Sequence, residues 1–455
     1  MDSKQEQKFH ELTEAPVSRL ICRLALPCII SMLVTAFYNM ADTFFVGMLK
    51  SPSATGAVGV VFSMMAIIQA VGFFFGHGSG NFISRELGKQ NTETASNMAA
   101  TGFFAALATG LLICVLGQIF LEPLALFLGS TPTILPYSMD YLGVILYGAP
   151  WMTASLVLNN QLRFQGSAAY GMVGIVSGAV INIGLDPLLI FVFDMGIAGA
   201  AWATIIGQFL SFLAAIAYIR RFKTVEVRLS DVRLNLQGTL RTAALGMSNS
   251  LNQVGITLVQ IVLNNSLTYY GALSEYGTDI PLAACGIVMK TNAILLAVII
   301  GISQGSQPII GFNYGARQFD RVRGTYRLAI TCNLVISTIG FLLFQFFPYQ
   351  IISLFGTGDA MYYEFAIRFM RTFLFMVIIN GVQLLSSNFF AAIGKPLKGL
   401  VLSMTRQVFF LIPLVLILPL FFGLDGILYS GPVADFIAFL VSVILIRREM
   451  RKMQA

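Results

Sequence analysis

The chain has 455 residues, of which 56% are hydrophobic and 11% are charged, and its formal net charge is +7 at pH 7. Soluble domains carry roughly 25% charged residues, because a surface that faces water has to be solvated. The composition therefore excludes a set of soluble domains and predicts an all-α, polytopic membrane protein whose surface faces lipid. The basic residues lie between the apolar stretches, which favours membrane-topology signals over a nucleic-acid site.

The N-terminal segment and the cysteines restrict the protein class further. Residues 1–19 are polar and lack the apolar core and cleavage site of a signal peptide, so we expect the first apolar stretch to remain as a span. The five cysteines show no CxxC pair or metal-ligand spacing, and we expect no disulfide, metal site or cofactor. They are Cys22, Cys28, Cys114, Cys285 and Cys332.

Apolar stretches of about 20 residues predict twelve transmembrane helices, six in each half of the chain. Their centres lie near Ser31, Gln69, Leu107, Ala149, Ile181, Gln208, Ile256, Leu296, Ser337, Phe375, Ile412 and Ala438. The longest polar connection separates the two halves. The predicted parts are a cytoplasmic N-terminal segment (1–19), an N-lobe (20–221), a cytoplasmic linker (222–240), a C-lobe (241–447) and a cytoplasmic tail (448–455).

The basic residues also predict the orientation. With both termini in the cytoplasm, most of the 28 Lys and Arg residues fall on the inside, where short loops retain them. We therefore expect a multi-pass protein of the cell membrane with both termini cytoplasmic.

The two halves of the sequence are related by a shift of about 227 residues. This shift aligns Gly59 with Gly286, Gly78 with Gly305, Ser79 with Ser306, Ile83 with Ile310 and Gly88 with Gly315. Because six spans make up each half, both halves enter the membrane from the same side and the repeat is parallel. Two such lobes can rock about a shared cleft, which is a common basis for alternating access.

Two aspartates interrupt predicted spans of the N-lobe, where an ionisable group costs roughly 2.5–3.5 kcal/mol on insertion scales. Asp42 in span 1 follows Asn39 by three residues, and Asp186 in span 5 follows Asn182 by four, so each pair can share a helix face. Thr204 in span 6 joins them if spans 5 and 6 pack together. Such oxygen ligands can bind a proton or Na⁺. Alternatively, the acids only hold the bundle together by hydrogen bonds.

The second half has three charges within spans, Lys290, Arg406 and Asp435. They either compensate one another or contribute to a relay or a cavity wall. Polar residues near span ends or at the lobe interface are candidates for a substrate cavity. These are Asn159, Asn160, Gln161 and Gln383.

Enzyme motifs are weak. No GxxxxGK[ST] loop is present, so the energy source is expected to be an ion gradient and not ATP. In the run from Gly76 to Gly80, His77 and Ser79 are two residues apart and do not face each other on a helix, which favours packing over hydrolysis. We predict no catalytic residue, and a membrane-embedded enzyme is a minor alternative.

The chain resembles the multidrug and toxic compound extrusion (MATE) family over nearly its whole length. The resemblance is carried by Pro27, Tyr38 to Asp42, Gly88, Asn182 to Pro187, Gly199 to Thr204 and Gly305 to Gly315. Within the family, the stretches from Arg406 to Pro413 and from Phe421 to Gly426 are similar to the MepA-type branch.

The resemblance implies a V-shaped pair of six-helix lobes that exports bulky, often cationic drugs in exchange for H⁺ or Na⁺. In the proton-coupled members, the acids of spans 1 and 5 act with an Asn and a Thr, and span 1 bends near a proline that matches Pro27. The matching coupling residues are Asp42, Asn182, Asp186 and Thr204, with Asn39 and Tyr38 in support. A C-lobe sodium site is not expected, because spans 7 and 10 lack carboxylates.

The expected partners are hydrophobic, cationic drugs and the lipid bilayer, with no nucleic acid, for a chain that acts as a monomer. The alternative within the same superfamily is a flippase of lipid-linked saccharides, which needs a cationic cavity for a pyrophosphate head group.

Overall fold

The computed structural model describes residues 3–49, 51–221, 225, 236–355 and 358–454, and these residues form helices with no β-strand among them. The helices are α1 (Ser3–Glu14), α2 (Val17–Gly47), α3 (Pro52–Gly88), α4 (Thr92–Ile119), α5 (Leu121–Phe127), α6 (Leu135–Phe164), α7 (Ala168–Pro187), α8 (Gly196–Arg221), α9 (Leu236–Ala272), α10 (Asp279–Gly315), α11 (Phe319–Phe346), α12 (Pro348–Ser353), α13 (Ala360–Phe373), α14 (Val377–Ala392), α15 (Pro396–Met404), α16 (Ile412–Ile417), α17 (Pro419–Phe422) and α18 (Leu424–Lys452). Two π-helical segments, Leu188–Val192 and Thr405–Leu411, extend α7 and join α15 to α16. The predicted all-α fold is confirmed.

Helices lie at the positions of the predicted spans, although not every span is a single apolar helix. In the described part of the chain, ten helices are long and apolar enough to cross a membrane. The span predicted near Phe375 is instead a pair of helices, α13 and α14, bent by 50° relative to each other. The helix α9 is also long enough, with 37 residues, but its apolar character is diluted by Asn and Gln side chains. With α9 as the remaining span, the count agrees with the twelve predicted.

The internal repeat is visible in the backbone. Gln90 and Arg317 follow α3 and α10 and have left-handed φ angles of 62° and 60°. Gly166 and Gly394 follow α6 and α14 with φ angles of 78° and 80°. Both pairs are separated by the shift found in the sequence, so the halves repeat in conformation as well as in residue type.

The two lobes contact each other closely along α2 and α10 and along α3 and α9. A Cβ atom on Gly301 of α10 would lie only 2.6 Å from the Cα of Ile29 in α2, so only glycine permits this approach. About two turns further along α10, the hydroxyl of Ser84 in α3 donates a hydrogen bond of 3.0 Å to the carbonyl oxygen of Pro308. The α2–α10 contact ties the first lobe to the second.

The N-terminal segment adds a second connection between the lobes. Lys8 in α1 donates a hydrogen bond of 2.7 Å to the carbonyl oxygen of Gly166 in the first half. Arg321 in α11 of the second half donates one of 2.7 Å to the carbonyl oxygen of Ala15. The helix therefore bridges the two halves. Of the predicted linker 222–240, residues 222–235 other than Val225 lie outside the described part.

Candidate functional site

The two N-lobe acids meet inside the membrane-spanning bundle. Asp186 lies in the last turn of α7, is 0% exposed, and has no hydrogen-bond partner among the described residues for either carboxyl oxygen. Asp42 in α2 is half-buried, and its Oδ1 also lacks a partner. The two carboxyl groups are close enough to interact electrostatically. Carboxyl groups without hydrogen-bond partners inside a membrane-spanning bundle are energetically unfavourable, which marks the pair as a candidate functional site.

Two further residues of the predicted cluster lie beside the acids. Asn182 lies one turn before Asp186, and its Nδ2 donates a hydrogen bond of 3.4 Å to Oγ1 of Thr204 in α8. The helices α7 and α8 come this close because Gly178 faces Gly207, where an added Cβ would lie 2.6 Å from the opposite carbonyl oxygen. Within the described part of the chain, the Oδ1 atom of Asn182 has no hydrogen-bond partner. The cluster therefore presents several unpaired oxygens to one small volume.

Two tyrosines complete the surroundings of the acids. Tyr38 in α2 and Tyr141 in α6 are both buried and interact electrostatically with Asp42 and Asp186. The Tyr141 hydroxyl has no hydrogen-bond partner among the described residues. Tyr38 is predicted from the sequence, whereas Tyr141 is not, because no helical spacing connects span 4 to spans 1 and 5.

Asn39 does not belong to this cluster, contrary to the expectation from sequence. Its side chain is exposed, whereas Asp42 is half-buried. Residues three apart on an α-helix are offset by about 60° around its axis. At the edge of the buried face of α2, this offset is enough to turn Asn39 outward.

A cavity of about 250 Å³ opens beside the cluster. Its polar wall contains Tyr38, Gln69, Asn159, Asn182, Thr204 and Gln208, and its apolar wall contains Met32, Met65, Phe73, Met152, Leu156 and Ile175. Flexible methionines next to a few polar groups suit a site that accepts varied apolar ligands. Asp42 and Asp186 are not in the wall itself but lie behind Tyr38, Asn182 and Thr204.

A smaller cavity of about 50 Å³ continues from the larger one and shares Phe73, Leu156 and Asn159 with it. It is lined in addition by Asn160 and by Arg163, which is only 9% exposed. Arg163 lies in the last turn of α6. A basic residue at the end of an apolar stretch looks the same in sequence whether it faces water or the interior.

Two predicted cavity residues line neither of these cavities. Gln161 donates hydrogen bonds of 3.0 Å to Oγ of Ser79 and to the carbonyl oxygen of Ala99. Gln383 donates one of 2.6 Å to the carbonyl oxygen of Leu402 within the second half. Both amides connect packed helices, as polar side chains commonly do inside membrane bundles. The cavity prediction for Gln161 and Gln383 is therefore corrected, while Asn159 and Asn160 do line the cavities.

The three charges of the second half do not form one group. Arg406, in the π-helical segment, forms an ion pair with the buried Asp435 of α18. Lys290 is exposed and forms no ion pair with any described residue. The charges of Arg406 and Asp435 therefore compensate each other, and Lys290 takes no part in this pair. Within the described ranges, no cluster of three or more His, Cys, Asp or Glu side chains could hold a metal ion.

Comparison with known proteins identifies the family. The MatE family model matches residues 27–188 and 250–417, one segment in each half. The chain belongs to the MATE family. This MATE chain is 25% identical to the multidrug export protein MepA of Staphylococcus aureus, over 97% of its own length and 96% of the relative's. The family resemblance stated from the sequence is confirmed, and the chain is a multi-pass membrane protein of a transporter family.

Solved structures agree with this MATE fold. A MATE transporter in the straight conformation superposes with a TM-score of 0.90 at 24% identity, covering 98% of both chains. A transporter of the MOP superfamily from Pyrococcus furiosus superposes with a TM-score of 0.89 at 24% identity, again covering 98% of both chains. The described part of the chain therefore has the fold of these proteins.

Proposed function

We propose that this MATE protein exports bulky, hydrophobic, cationic compounds in exchange for H⁺ or Na⁺, with Asp42 and Asp186 as the coupling groups. The observation that carries the proposal is the buried Asp186, whose two carboxyl oxygens are unpaired beside Asp42 and behind the wall of a cavity. The names of its relatives as multidrug export proteins support the choice of substrate class.

The chemistry of the cluster supports ion binding. A buried carboxylate without a partner is stabilised either by a proton or by a cation, since its charge is otherwise uncompensated. Oxygens from Asp42, Asp186, Asn182 and Thr204 are hard ligands, which suit Na⁺ as well as a shared proton. Loading the site with either ion removes negative charge from behind the cavity wall.

That loss of charge provides a mechanism for antiport. A cationic compound in the cavity is attracted by the carboxylates through the wall formed by Tyr38, Asn182 and Thr204. Once the carboxylates bind an ion, the attraction ends and the compound leaves. Because such coupling is reciprocal, the compound also weakens ion binding.

The helix α2 can transmit the change to the other lobe, and we propose that it does so by bending at Pro27. Pro27 is buried inside α2 and supplies no backbone N–H for the helical ladder, which makes it a point of low bending stiffness. Asp42 and Tyr38 lie on the C-terminal side of Pro27, and the contact with Gly301 of α10 lies close to it. A bend at Pro27 would therefore move the coupling site relative to the second lobe and open the cavity to alternate sides.

The test uses everted membrane vesicles with an imposed pH gradient and ethidium as the lipophilic cation, with and without Na⁺. Uptake of ethidium by the parent protein should dissipate the pH gradient, or depend on Na⁺ if Na⁺ is the coupling ion. Asp42→Asn and Asp186→Asn should each abolish coupled uptake. Asp140→Asn is the matched control, because Asp140 is an exposed acid in α6, beside Tyr141, and lies outside the cluster.

Each other outcome has a defined meaning. Coupled uptake that survives both Asp42→Asn and Asp186→Asn would limit the acids to a structural role. Ethidium flux that is independent of the gradient and of both substitutions would identify a channel. If inserted, folded protein moves no dye, the drug-export proposal fails and lipid-linked saccharides become the next substrates to test.

We further propose that the protein acts as a monomer and lies in the cell membrane with both termini in the cytoplasm. The orientation is proposed from the distribution of the basic residues. Single cysteines introduced next to each terminus in a cysteine-free background should resist a membrane-impermeant maleimide in intact cells and react in everted vesicles.

A further inference from the structure

The small cavity holds a buried cation that has no counter-charge. Arg163 is 9% exposed and forms no ion pair with a carboxylate in the part of the chain that the structure describes. Its neighbours His77, Asn160 and Gln304 are equally buried and contribute no formal negative charge. Keeping a guanidinium inside a membrane protein without compensation is unfavourable. The arrangement therefore calls for an anion that is not part of the described chain.

The hydrogen bonds of Arg163 leave donors for such an anion. The guanidinium has five N–H donors. They reach Oε1 of Gln304, Oδ1 of Asn160 and, at 3.1 Å, Nε2 of His77. The buried Nε has no hydrogen-bond partner in the ranges that the structure describes, and the nearby Cys28 provides only a weak acceptor. Two donors, Nε–H and one N–H of Nη1, are thus left, and either can donate a charge-assisted hydrogen bond to an oxygen of an anion.

The shape of the cavities determines what kind of anion fits. The space of about 50 Å³ beside Arg163 exceeds the roughly 30 Å³ that a water molecule occupies in the liquid, so it has room for a small charged group at the end of a larger molecule. Phe73 and Leu156 line both this space and the larger cavity, so a molecule can extend from one into the other. The far end of the larger cavity is bounded by Asn182 and Thr204, with the acids behind them.

We propose that Arg163 forms an anion subsite that binds a carboxylate group of the transported compound. The apolar body of the compound occupies the larger cavity, and a cationic group points toward the end near the acids. The site thereby selects zwitterionic compounds with an anionic and a cationic end. The transport part of this proposal rests on the proposed export function, whereas binding of a carboxylate at Arg163 does not.

Binding is tested on the purified protein in detergent with benzoate, whose ring would enter the larger cavity, and with benzamide, which has the same shape and no charge. Benzoate should raise the thermal unfolding temperature of the parent and of Lys89→Gln, and benzamide should not. Arg163→Gln should abolish the effect of benzoate, and Arg163→Lys should retain part of it. The Lys89→Gln control removes a different cation, one that is paired with Glu86 outside these cavities.

Three results would overturn the subsite. These are stabilisation by benzamide equal to that by benzoate, full retention of the benzoate effect in Arg163→Gln, and stabilisation by chloride as strong as that by benzoate. The last result would show a general anion site instead of a carboxylate site.

Arg163 also donates a hydrogen bond to Gln304 of α10, so a substitution at Arg163 could act on substrate recognition or on the contact between the lobes. A transport assay distinguishes these two roles. A zwitterionic quinolone is compared with its ethyl ester, which keeps the cation and loses the carboxylate. Arg163→Gln should raise the KM of the acid about tenfold or more and leave that of the ester unchanged, since charge-assisted hydrogen bonds have this magnitude. Gln304→Leu removes the contact between lobes and should affect both compounds alike.

An equal rise in KM for acid and ester in Arg163→Gln would assign Arg163 to the contact between the lobes and overturn its role in recognition. If the parent moves neither compound while benzoate still stabilises it through Arg163, the export function fails and the anion subsite stands.

Discussion

The ion pair between Arg406 and Asp435 allows a quantitative test of how the second lobe tolerates charge. Both residues lie in transmembrane elements, and their side chains are 13% and 3% exposed. Asp435→Asn removes one charge and leaves the guanidinium buried without a counter-charge. We expect a loss of about 3–5 kcal/mol in the free energy of unfolding, as for other buried pairs that are broken from one side.

The double variant Arg406→Met/Asp435→Leu should behave differently. It removes both charges together with their desolvation cost and fills the space with apolar side chains. We expect its stability to lie within about 1 kcal/mol of the parent's or above it. The interaction energy from the double-mutant cycle should then be about 3 kcal/mol or more.

The assay is reversible unfolding in mixed micelles with increasing dodecyl sulfate, followed by circular dichroism. It compares the parent, Asp435→Asn, the double variant, and the single variants Arg406→Met and Asp435→Leu that complete the cycle. The matched control is Asp425→Asn, which breaks an exposed pair with Arg368 whose side chains are 32% and 45% exposed, and which should cost less than about 1 kcal/mol. The reasoning is refuted if Asp435→Asn costs no more than this control, or if the double variant is as unstable as Asp435→Asn.

Three other predictions concern packing, the terminal helix and a corrected assignment. Gly301→Ala should cost about 1–3 kcal/mol in the same unfolding assay, because its Cβ would lie 2.6 Å from the Cα of Ile29, whereas Gly286→Ala, with open space around it, should not destabilise. Burial and a neighbouring arginine lower the pKa of Lys8 to about 8, so the rate of its acetylation by acetic anhydride should be half-maximal near pH 8. A half-maximal rate near pH 10.4, as for an ordinary lysine, would contradict the docking of α1. Gln161→Leu removes two buried hydrogen bonds and should lower the free energy of unfolding by about 1–3 kcal/mol. The KM for ethidium should stay unchanged, and a changed KM would show that Gln161 lines the substrate cavity.

The number of spans, the repeat and the two acids of the first lobe could be predicted from the sequence alone. Lipid requires about 20 apolar residues per helix, so spans stand out by composition. Asp42 and Asp186 stand out for the same reason, since charges are rare in such stretches. Asn182 followed because it lies one helical turn from Asp186 on the same element.

The tertiary structure decided which polar side chains share a cavity. Tyr141 joins the acids and Arg163 faces the interior because of how α6 packs, and Gln161, on the same helix, turns instead toward its neighbours. Asn39 lies outside the site because the rotation of α2 about its axis leaves the side chain of Asn39 exposed. Helical periodicity relates residues within one span, whereas the rotation of each helix about its axis depends on contacts with spans far away in the chain. Those contacts, made through residues such as Gly301, exist only in the folded bundle.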